Sequence, residues 1–336
     1  MRFVVWSCPI LIFFYIKADS FFLNLQYNHF PMANFQINIL GCGSATPSMK
    51  HLPSSQIIDF RNNLFMIDCG ECAQLTMRRM KLKFSRLNHI FISHLHGDHC
   101  FGLLGLISTL ALHEKQSALT IHIHAEGAKL FKQMVDFFCR DLPFELNFNI
   151  IEQGKTQLLF ENNSLTVTAF PLYHRVPCSG FIFQEKPKMR HIRGEMVKFY
   201  NIPVRCIHDI KNGADYVTPE GQVIENSRLT TEADPVMSYA YCSDTLFDHR
   251  VAQAVAGVNT IYHEATYVDD DHALAIARGH STAREAAIIA REAQAQRLII
   301  GHYSKRYTDE DTLLKQALEE FPNVILANEQ LRVDLL

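Results

Sequence analysis

The sequence predicts an α/β fold in which two β-sheets pack face to face and helices cover the outside. From Phe35 onward, short apolar runs typical of strands alternate with longer runs typical of helices. Strands in both halves of the chain are followed by loops that carry His and Asp, which suggests a sandwich of two sheets with helices outside. The 336 residues, 48% of them hydrophobic, suffice for one large core.

The first half of the chain contributes five predicted strands and three predicted helices. The strands are expected at residues 35–40, 56–60, 64–68, 89–93 and 120–124, and the helices at residues 71–80, 100–112 and 128–138. Residues 61–63 suit a hairpin turn between two of these strands. The strand at 120–124 alternates, so His122 and His124 are expected on its polar face and not among metal ligands.

The second half resumes the same pattern after a loop. The strands are expected at residues 165–170, 181–183, 237–241, 258–262, 297–300 and 323–327, and the helices at residues 281–293 and 309–320. Ser281 is a plausible N-cap, with Glu285 in the first turn of its helix.

Residues 185–232 interrupt this pattern. They lack a clean period and contain several Pro and Gly, and a loop of this length is usually functional or mobile. Residues 181–211 carry seven Lys or Arg against three acidic residues, although the whole chain has a net charge of −3. A local basic patch of this kind suits a polyanion, although an ordinary solvated insertion would look similar. Its candidate contacts are Lys186, Lys188, Arg190, Arg193, Lys198 and Arg205.

The first 31 residues form an extra N-terminal segment. Residues 3–16 are apolar and lie between Arg2 and Lys17, like a signal peptide or a short anchor, but they are short for a membrane span. We interpret Met32 as the start of the protein and residues 32–336 as one domain, with no membrane association.

Nine cysteines without a framework spacing indicate a reducing compartment, and we expect a cytoplasmic location. The C-x-x-C of Cys69 and Cys72 has no second pair, so neither zinc nor redox chemistry is expected there.

The chemistry is concentrated in residues 94–99, which read HLHGDH. His94 and His96 are two apart in an extended segment and point the same way. Asp98 and His99 come from the following turn and can face a second point. One run therefore offers ligands for two adjacent metal ions.

Three more candidate ligands each follow a predicted strand. They are His174, Asp244 and His302. A natural division gives one metal to His94, His96 and His174 and the other to Asp98, His99 and His302, bridged by Asp244. Imidazole and carboxylate ligands without thiolate suit two Zn²⁺ ions, with Mn²⁺ or Fe²⁺ as alternatives. Two ions about 3.5–4 Å apart can hold a bridging hydroxide and stabilise a phosphoryl displacement.

These motifs resemble the metallo-β-lactamase superfamily and, in detail, the short form of tRNase Z (ribonuclease Z). The similarity runs from Phe35 to the C-terminus. Its motifs are residues 41–47 (GCGSATP), 65–71 (FMIDCGE), 93–99 (SHLHGDH), 171–174 (PLYH), 242–245 (CSDT), 263–266 (HEAT), 279–282 (GHST) and 301–307 (GHYSKRY). The metal motif marks only the superfamily, and the HEAT and GHST pair is much more specific.

The resemblance implies an αββα sandwich of two mixed sheets, a homodimer, two zinc ions per subunit and endonucleolytic removal of the 3′ trailer from precursor tRNA, leaving a 3′-hydroxyl. It implies that Asp98 orients or deprotonates the attacking water. His280, positioned by Glu264, would stabilise or protonate the departing oxygen, while Ser44, Thr46 and Arg306 would contact phosphates. The interruption at 185–232 lies where the family inserts an exosite arm that grips tRNA, although the family's Gly- and Pro-rich pattern survives only in part.

Other functions fit parts of the same pattern. A phosphodiesterase acting on small or cyclic nucleotide diesters could use the same metal centre but would need no basic arm. A thioester or β-lactam hydrolase would have no use for His280 and Arg306, and a silent nucleic-acid-binding module would not need a full ligand set. Glu264 could also serve as a partner of a metal ligand, and His280 could be purely structural.

Overall fold

The computed structural model describes residues 35–335, so the extra segment expected at residues 1–31 lies outside the described residues. Within this range two seven-stranded mixed sheets form. The first has the order β18-β1-β2-β3-β4-β5-β6. Strands β1 to β3 pair antiparallel and β3 to β6 pair parallel. The strands are β1 Phe35–Gly41, β2 Ser55–Phe60, β3 Asn63–Cys69, β4 Leu87–Phe91, β5 Leu119–His124, β6 Leu146–Ile151 and β18 Arg332–Asp334.

The second sheet has the order β17-β16-β15-β14-β9-β8-β7. Strands β14 to β17 pair parallel, and β7, β8, β9 and β14 pair antiparallel. The strands are β7 Gln157–Glu161, β8 Leu165–Leu172, β9 Cys178–Glu185, β14 Ser238–Cys242, β15 Thr260–Glu264, β16 Arg297–Gly301 and β17 Val324–Leu326.

Side-chain alternation along the strands builds two separate cores. In β3, Phe65 and Ile67 join the apolar core that contains residues of both sheets, whereas Leu64 and Met66 join a second core with helical residues. Because successive side chains of a strand point to opposite faces, one strand fills both cores. The predicted sandwich with helices outside is therefore confirmed.

Eight helices lie outside the interruption and within residues 35–335. They are α1 Ala73–Arg79, α2 Gly97–Cys100, α3 Leu103–Leu112, α4 Ala125–Phe138, α8 His249–Ala254, α9 His272–Arg278, α10 Ala283–Glu292 and α11 Asp311–Leu318. Among the described residues, no helix has the length and apolar character needed to cross a membrane. The N-cap of α10 is Thr282, not Ser281 as expected, because the Thr282 side chain accepts from the Glu285 amide in a capping box.

Residues 185–232, which we call the arm, are a folded unit and not the irregular loop that the sequence suggested. The arm contains β10 His191–Ile192, α5 Gly194–Phe199, α6 Val204–Lys211, β11 Tyr216–Val217, β12 Val223–Ile224, α7 Asn226–Leu229 and β13 Thr230–Thr231. Strands β10 and β13 pair, as do β11 and β12. A small apolar cluster of its own, including Ile210, Tyr216 and Leu229, holds the arm together.

The prediction that His122 and His124 lie on a polar face of β5 is also wrong. His122 and His124 are both buried, and His122 stacks on Phe91 with ring centroids 4.2 Å apart. Nδ1 of His89 lies 3.2 Å from Nε2 of His122. The side-chain amide of Asn149 donates to Nδ1 of His122. Because these partners satisfy the ring nitrogens, the interior tolerates histidine on a strand face that the sequence pattern alone assigns to solvent.

Candidate metal centre

The two sheets bring His94, His96, His174 and Asp244 together, as the sequence predicted. His94 and His96 follow β4, while His174 follows β8 and Asp244 follows β14. The Nδ1 of His96 lies 3.0 Å from Nε2 of His94 and 3.3 Å from Nε2 of His174. Oδ2 of Asp244 completes this group, 3.5 Å from Nε2 of His94 and 3.8 Å from Nε2 of His174.

A second group forms beside the first from Asp98, His99 and His302. Nε2 of His99 lies 3.2 Å from Nε2 of His302, and Oδ2 of Asp98 lies 3.5 and 3.4 Å from these nitrogens. Oδ1 of Asp244 is 3.4 Å from Nε2 of His99 and 3.2 Å from Nε2 of His302. The two oxygens of Asp244 therefore face different groups.

The spacing and chemistry of both groups fit divalent metal ions. Two ligands that each lie 2.0–2.1 Å from a tetrahedral ion are about 3.3 Å apart, close to the separations in both groups. Oδ1 of Asp244 is buried and has no hydrogen-bond partner among the described residues. Burying a carboxylate oxygen without a partner costs free energy. Burial lowers the pKa of His99, but Asp244, Asp98 and Asp68 outweigh burial and raise it, so this position attracts positive charge.

The other ring nitrogen of four of these histidines is held in place. Nδ1 of His99 donates to Asp68 at 2.7 Å, and Nδ1 of His302 donates to Thr266 at 2.8 Å. Nδ1 of His174 donates to the Gly279 carbonyl at 2.6 Å, and His94 lies 3.0 Å from Ser93 Oγ. These bonds fix the tautomer that leaves Nε2 free for a metal.

Asp68 is a positioning residue that the ligand search in the sequence missed. Its Oδ1 accepts from the Ser93 amide, and its Oδ2 accepts from His99 and the Tyr241 hydroxyl. Its φ of 53° lies in the left-handed region, as does the φ of 62° at His302. A strained backbone conformation of this kind persists where many surrounding contacts hold the residue in place. The position of Asp68 just before a turn was the available signal.

Gly279 meets a steric requirement next to His280. Its φ is +78°, and a Cβ there would lie 2.9 Å from Nδ1 of His174. Any larger residue would therefore press on a metal-ligand candidate as well as strain the backbone.

Glu264 and His280 form a buried pair at the edge of the metal groups. Oε1 of Glu264 accepts from Nδ1 of His280 and from the amides of Thr245 and Ser281, each at 3.0 Å. Its Oε2 accepts from the Thr266 hydroxyl, which in turn accepts from His302. Glu264 thus orients His280 directly and the metal-ligand candidate His302 through Thr266, so both functions considered for it from the sequence have a structural basis.

Burial raises the pKa of Glu264, but the neighbouring His280 outweighs it and the pKa falls to about 2. Burial lowers the pKa of His280, but Glu264 and Asp244 outweigh it and raise that pKa to about 9. A carboxylate paired with an imidazolium is therefore the resting state near neutral pH. With Nδ1 engaged by Glu264, Nε2 is the nitrogen of His280 that remains to donate a proton.

An open cavity of about 430 Å³ joins the two metal groups to the phosphate-contact candidates. Ser44, Thr46 and Arg306 all line it, together with His280. The Ser44 hydroxyl donates to the Tyr303 carbonyl at 3.1 Å. The amides of Ser44, Ala45 and Thr46 also donate within the protein, so the Thr46 hydroxyl is the freer donor of this loop. Sequence reasoning missed three further lining cations, Arg175, Arg278 and Lys305, although each lies within three residues of a motif histidine.

The six arm residues proposed to contact tRNA fall into two sets. Lys186 pairs with Glu161, Lys188 with Glu185 and Arg190 with Glu232, while Arg193 donates to the Thr230 carbonyl. Lys198 and Arg205 are exposed and have no ion pair among residues 35–335. The complete arm carries eight basic and seven acidic residues, so its positive charge is local and not general.

The fold and the site define a metal-dependent hydrolase with the metallo-β-lactamase fold. Across 304 residues the chain is 53% identical to the Ribonuclease Z of Parabacteroides distasonis, which covers 90% of this chain and 100% of that protein. It is 51% identical to the Ribonuclease Z of Bacteroides fragilis with the same coverage. The human short-form tRNase Z has a TM-score of 0.63 at 23% identity and covers 89% of this chain and 98% of that one. A family model described as Anti-Pycsar protein Apyc1 matches residues 35–184.

The chain belongs to the ribonuclease Z family. The resemblance recognised in the sequence is therefore confirmed, and so is the predicted class of enzyme, a metal-dependent endoribonuclease.

Proposed function

We propose that this chain binds two zinc ions per subunit in the two groups joined by Asp244 and uses them to remove the 3′ trailer from precursor tRNA. The observation that carries the assignment is Asp244, whose two oxygens face different sets of nitrogen and oxygen ligands. Both sets lack thiolate and combine imidazole with carboxylate, a combination that suits zinc.

When bound, the ions would supply Lewis acidity, which lowers the pKa of a water and stabilises charge on the phosphoryl oxygens. Asp98 stands at the edge of the second group with its Oδ2 held by the Ala45 amide at 2.7 Å. A carboxylate fixed in this way can orient a water and accept its proton. The Ser44–Thr46 loop, through Ala45, therefore sets the position of this catalytic carboxylate.

His280 serves as the general acid. Water attacks phosphorus, the bond from phosphorus to the tRNA 3′ oxygen breaks, and a proton moves from His280 Nε2 to that oxygen. The products are a 3′-hydroxyl on the tRNA and a 5′-phosphate on the trailer. A pKa of about 9 keeps this proton on His280 at neutral pH, and the Glu264 carboxylate stabilises the imidazolium before transfer.

Backbone phosphates of the RNA meet the cations around the cavity. Arg306 is half exposed and lies 3.5 Å from Asp271, so it is tethered but able to reach a phosphate. Guanidinium groups bind phosphate oxygens through paired donors, and Arg306 with the Ser44–Thr46 loop would hold the two sides of the scissile phosphate.

The arm holds the body of the tRNA away from the metals. Exposed Lys198 and Arg205 lie close in sequence to exposed Phe199 and Val204, which are 73% and 83% accessible. Cationic and apolar side chains together suit contact with phosphates and exposed bases or sugars. In a homodimer, the arm of one subunit would serve the site of the other. The free cysteines among the described residues fit a cytoplasmic enzyme.

A side-by-side assay of zinc-loaded protein tests this function. The substrates are a precursor tRNA with a 3′ trailer and bis(p-nitrophenyl) phosphate, and the RNA ends are mapped by sequencing. The proposal predicts one cut beside the discriminator base with a 3′-hydroxyl on the tRNA. Diester hydrolysis without RNA cleavage would leave the metal site standing and contradict the substrate.

A further inference from the structure

A second cluster of metal-ligand side chains lies outside the catalytic cavity. It consists of Cys42, His51 and Glu329, which come from the residue after β1, the loop before β2 and the segment before β18. Cys42 is fully buried, and the side chains of His51 and Glu329 are 8% and 17% accessible. None of these residues belongs to either metal group or touches the cavity around His280.

The three functional groups converge. Sγ of Cys42 lies 3.3 Å from Nδ1 of His51 and 3.6 Å from Oε1 of Glu329, and Nδ1 of His51 lies 3.1 Å from Oε2 of Glu329. Around a tetrahedral zinc ion with bonds of 2.3 Å to sulfur and 2.0–2.1 Å to nitrogen or oxygen, these edges would be about 3.5, 3.5 and 3.3 Å. The separation between Cys42 and His51 lies within about 0.3 Å of its expected edge. The contacts with Glu329 are made to its two different oxygens, Oε1 for Cys42 and Oε2 for His51, so an ion here would face both carboxylate oxygens.

Hydrogen bonds already connect these groups to one another and to the backbone, including one from the Cys42 thiol to the Ala327 carbonyl at 3.5 Å. A proton on Nδ1 of His51 can be donated to Cys42 or to Glu329, and both acceptors lie at bonding distance. A single cation in the place of that proton would be shared by all three groups.

The surroundings of His51 match those of a metal-bound imidazole. Its Nε2 donates to Glu310 at 3.0 Å, so a carboxylate orients the ring from the side that faces away from Cys42. Histidines that bind a metal commonly donate their other ring N–H to a carboxylate in this way. Glu329 is also fixed, because its Oε1 accepts from the Leu52 amide at 2.8 Å.

We propose that Cys42, His51 and Glu329 form a separate structural site for a borderline-soft divalent ion such as zinc, with water as the fourth ligand. A thiolate, an imidazole and a carboxylate together favour this class of ion. The site would join the base of the Ser44–Thr46 loop to the last segment of the chain. The Ala45 amide of that loop donates to Asp98, so an ion that fixes the loop would also fix the position of Asp98. The proposal does not depend on the substrate of the catalytic centre.

Cobalt substitution separates this site from the catalytic centre, because only this site contains a thiolate. Full-length protein is stripped of metal with a chelator and refilled with Co²⁺, and the cobalt content and near-ultraviolet spectrum are measured. We expect about three ions per chain and a thiolate-to-cobalt charge-transfer band. Cys42→Ser should remove the band and lower the content to about two. Cys242→Ser is the matched control, a fully buried thiol whose pKa is raised by burial alone, and it should keep both.

Several outcomes would overturn the proposal. If wild-type protein takes up about two cobalt ions and shows no charge-transfer band, then Cys42, His51 and Glu329 form only a hydrogen-bonded cluster. A band that survives Cys42→Ser comes from another cysteine. If Cys42→Ser does not yield folded protein, Glu329→Gln decides, because it keeps the thiol but removes a ligand. Unchanged cobalt content and an unchanged band in Glu329→Gln would equally contradict the site.

Discussion

His280 is the residue whose chemistry the geometry defines most sharply. Replacing it with Ala removes the proton donor but none of the seven expected ligands, so zinc content should stay the same. We expect kcat on precursor tRNA to fall by roughly 10²–10⁴-fold, the usual contribution of a positioned acid. His249→Ala is a suitable control, because His249 also pairs with a glutamate but is exposed. A loss of zinc in His280→Ala would contradict the assigned role.

The pH profile tests the same residue without deleting it. The acid works only while His280 carries its proton, so kcat should fall as pH rises through about 9. Glu264→Gln removes the charge that raises the pKa of His280, and the falling limb should therefore move to lower pH. A limb that stays in place in Glu264→Gln would mean that another group limits activity at high pH.

Asp244 is the residue on which both metal groups depend. Asp244→Ala removes an oxygen from each group, so we expect both zinc ions to be lost and cleavage to become undetectable. His174→Ala should weaken mainly the first group. Metal analysis after dialysis measures the effect, with the exposed Asp270→Ala as control. Full zinc content in Asp244→Ala would rule out a bridging role.

At the scale of elements, β4 and β5 carry a titratable pair inside the sandwich. Burial lowers the pKa of His89 to about 4 and that of His122 to about 3. Both values lie below the unfolded value of about 6.5, so the unfolded chain binds more protons on acidification. The free energy of unfolding should therefore be undiminished above about pH 6.5 and decrease as the pH falls toward 4.

His122→Leu tests this coupling. It removes one of the two groups, so the slope of unfolding free energy against pH between 7 and 5 should become shallower, even though stability at pH 7 drops with the lost Asn149 bond. Denaturant titrations across this range provide the measurement, and exposed His208→Leu is the control. An equal slope in wild type and His122→Leu would contradict the buried neutral state.

The elements also show what the sequence could and could not predict. Strong apolar runs predicted β4, β8, β14 and β16 to within a few residues, and the segments that follow them carry the candidate ligands. Strands β6, β7 and β18 and helices α8 and α9 were missed, because they are short or half-buried and carry little periodicity. The alternation of apolar and polar residues placed His122 on a solvent-facing side of β5. A histidine whose ring nitrogens have two polar partners can be buried instead.

The same limit applies to the site. Adjacent residues such as 94–99 reveal themselves in sequence because their spacing is local. Asp68 and Thr266 act through contacts with His99 and His302, which spacing alone does not reveal. The arm likewise read as irregular, because its helices are too short for a period to emerge.

At the scale of the whole molecule, the arm and the metal cavity divide binding from chemistry. We expect replacement of residues 190–232 by a short Gly-Ser linker to spare hydrolysis of bis(p-nitrophenyl) phosphate while lowering kcat/KM for precursor tRNA by roughly tenfold or more. Arg190 and Glu232 are ion-paired, so the ends to be joined lie close together. Steady-state kinetics on both substrates measure the two effects.

A milder variant guards against damage by the deletion. Combined Lys198→Ala and Arg205→Ala leaves the arm's apolar cluster intact and should weaken tRNA cleavage most at low salt. Equal loss of both activities in either variant would refute a separate gripping role for the arm.

The most direct test of the two-metal account is anomalous diffraction from crystals of the zinc-loaded protein at the zinc edge. We predict two peaks in the catalytic cavity, one among His94, His96 and His174 and one among Asp98, His99 and His302, with Asp244 between them. A third peak beside Cys42 would bear only on the separate structural site. A single peak in the cavity, or peaks away from Asp244, would contradict the account.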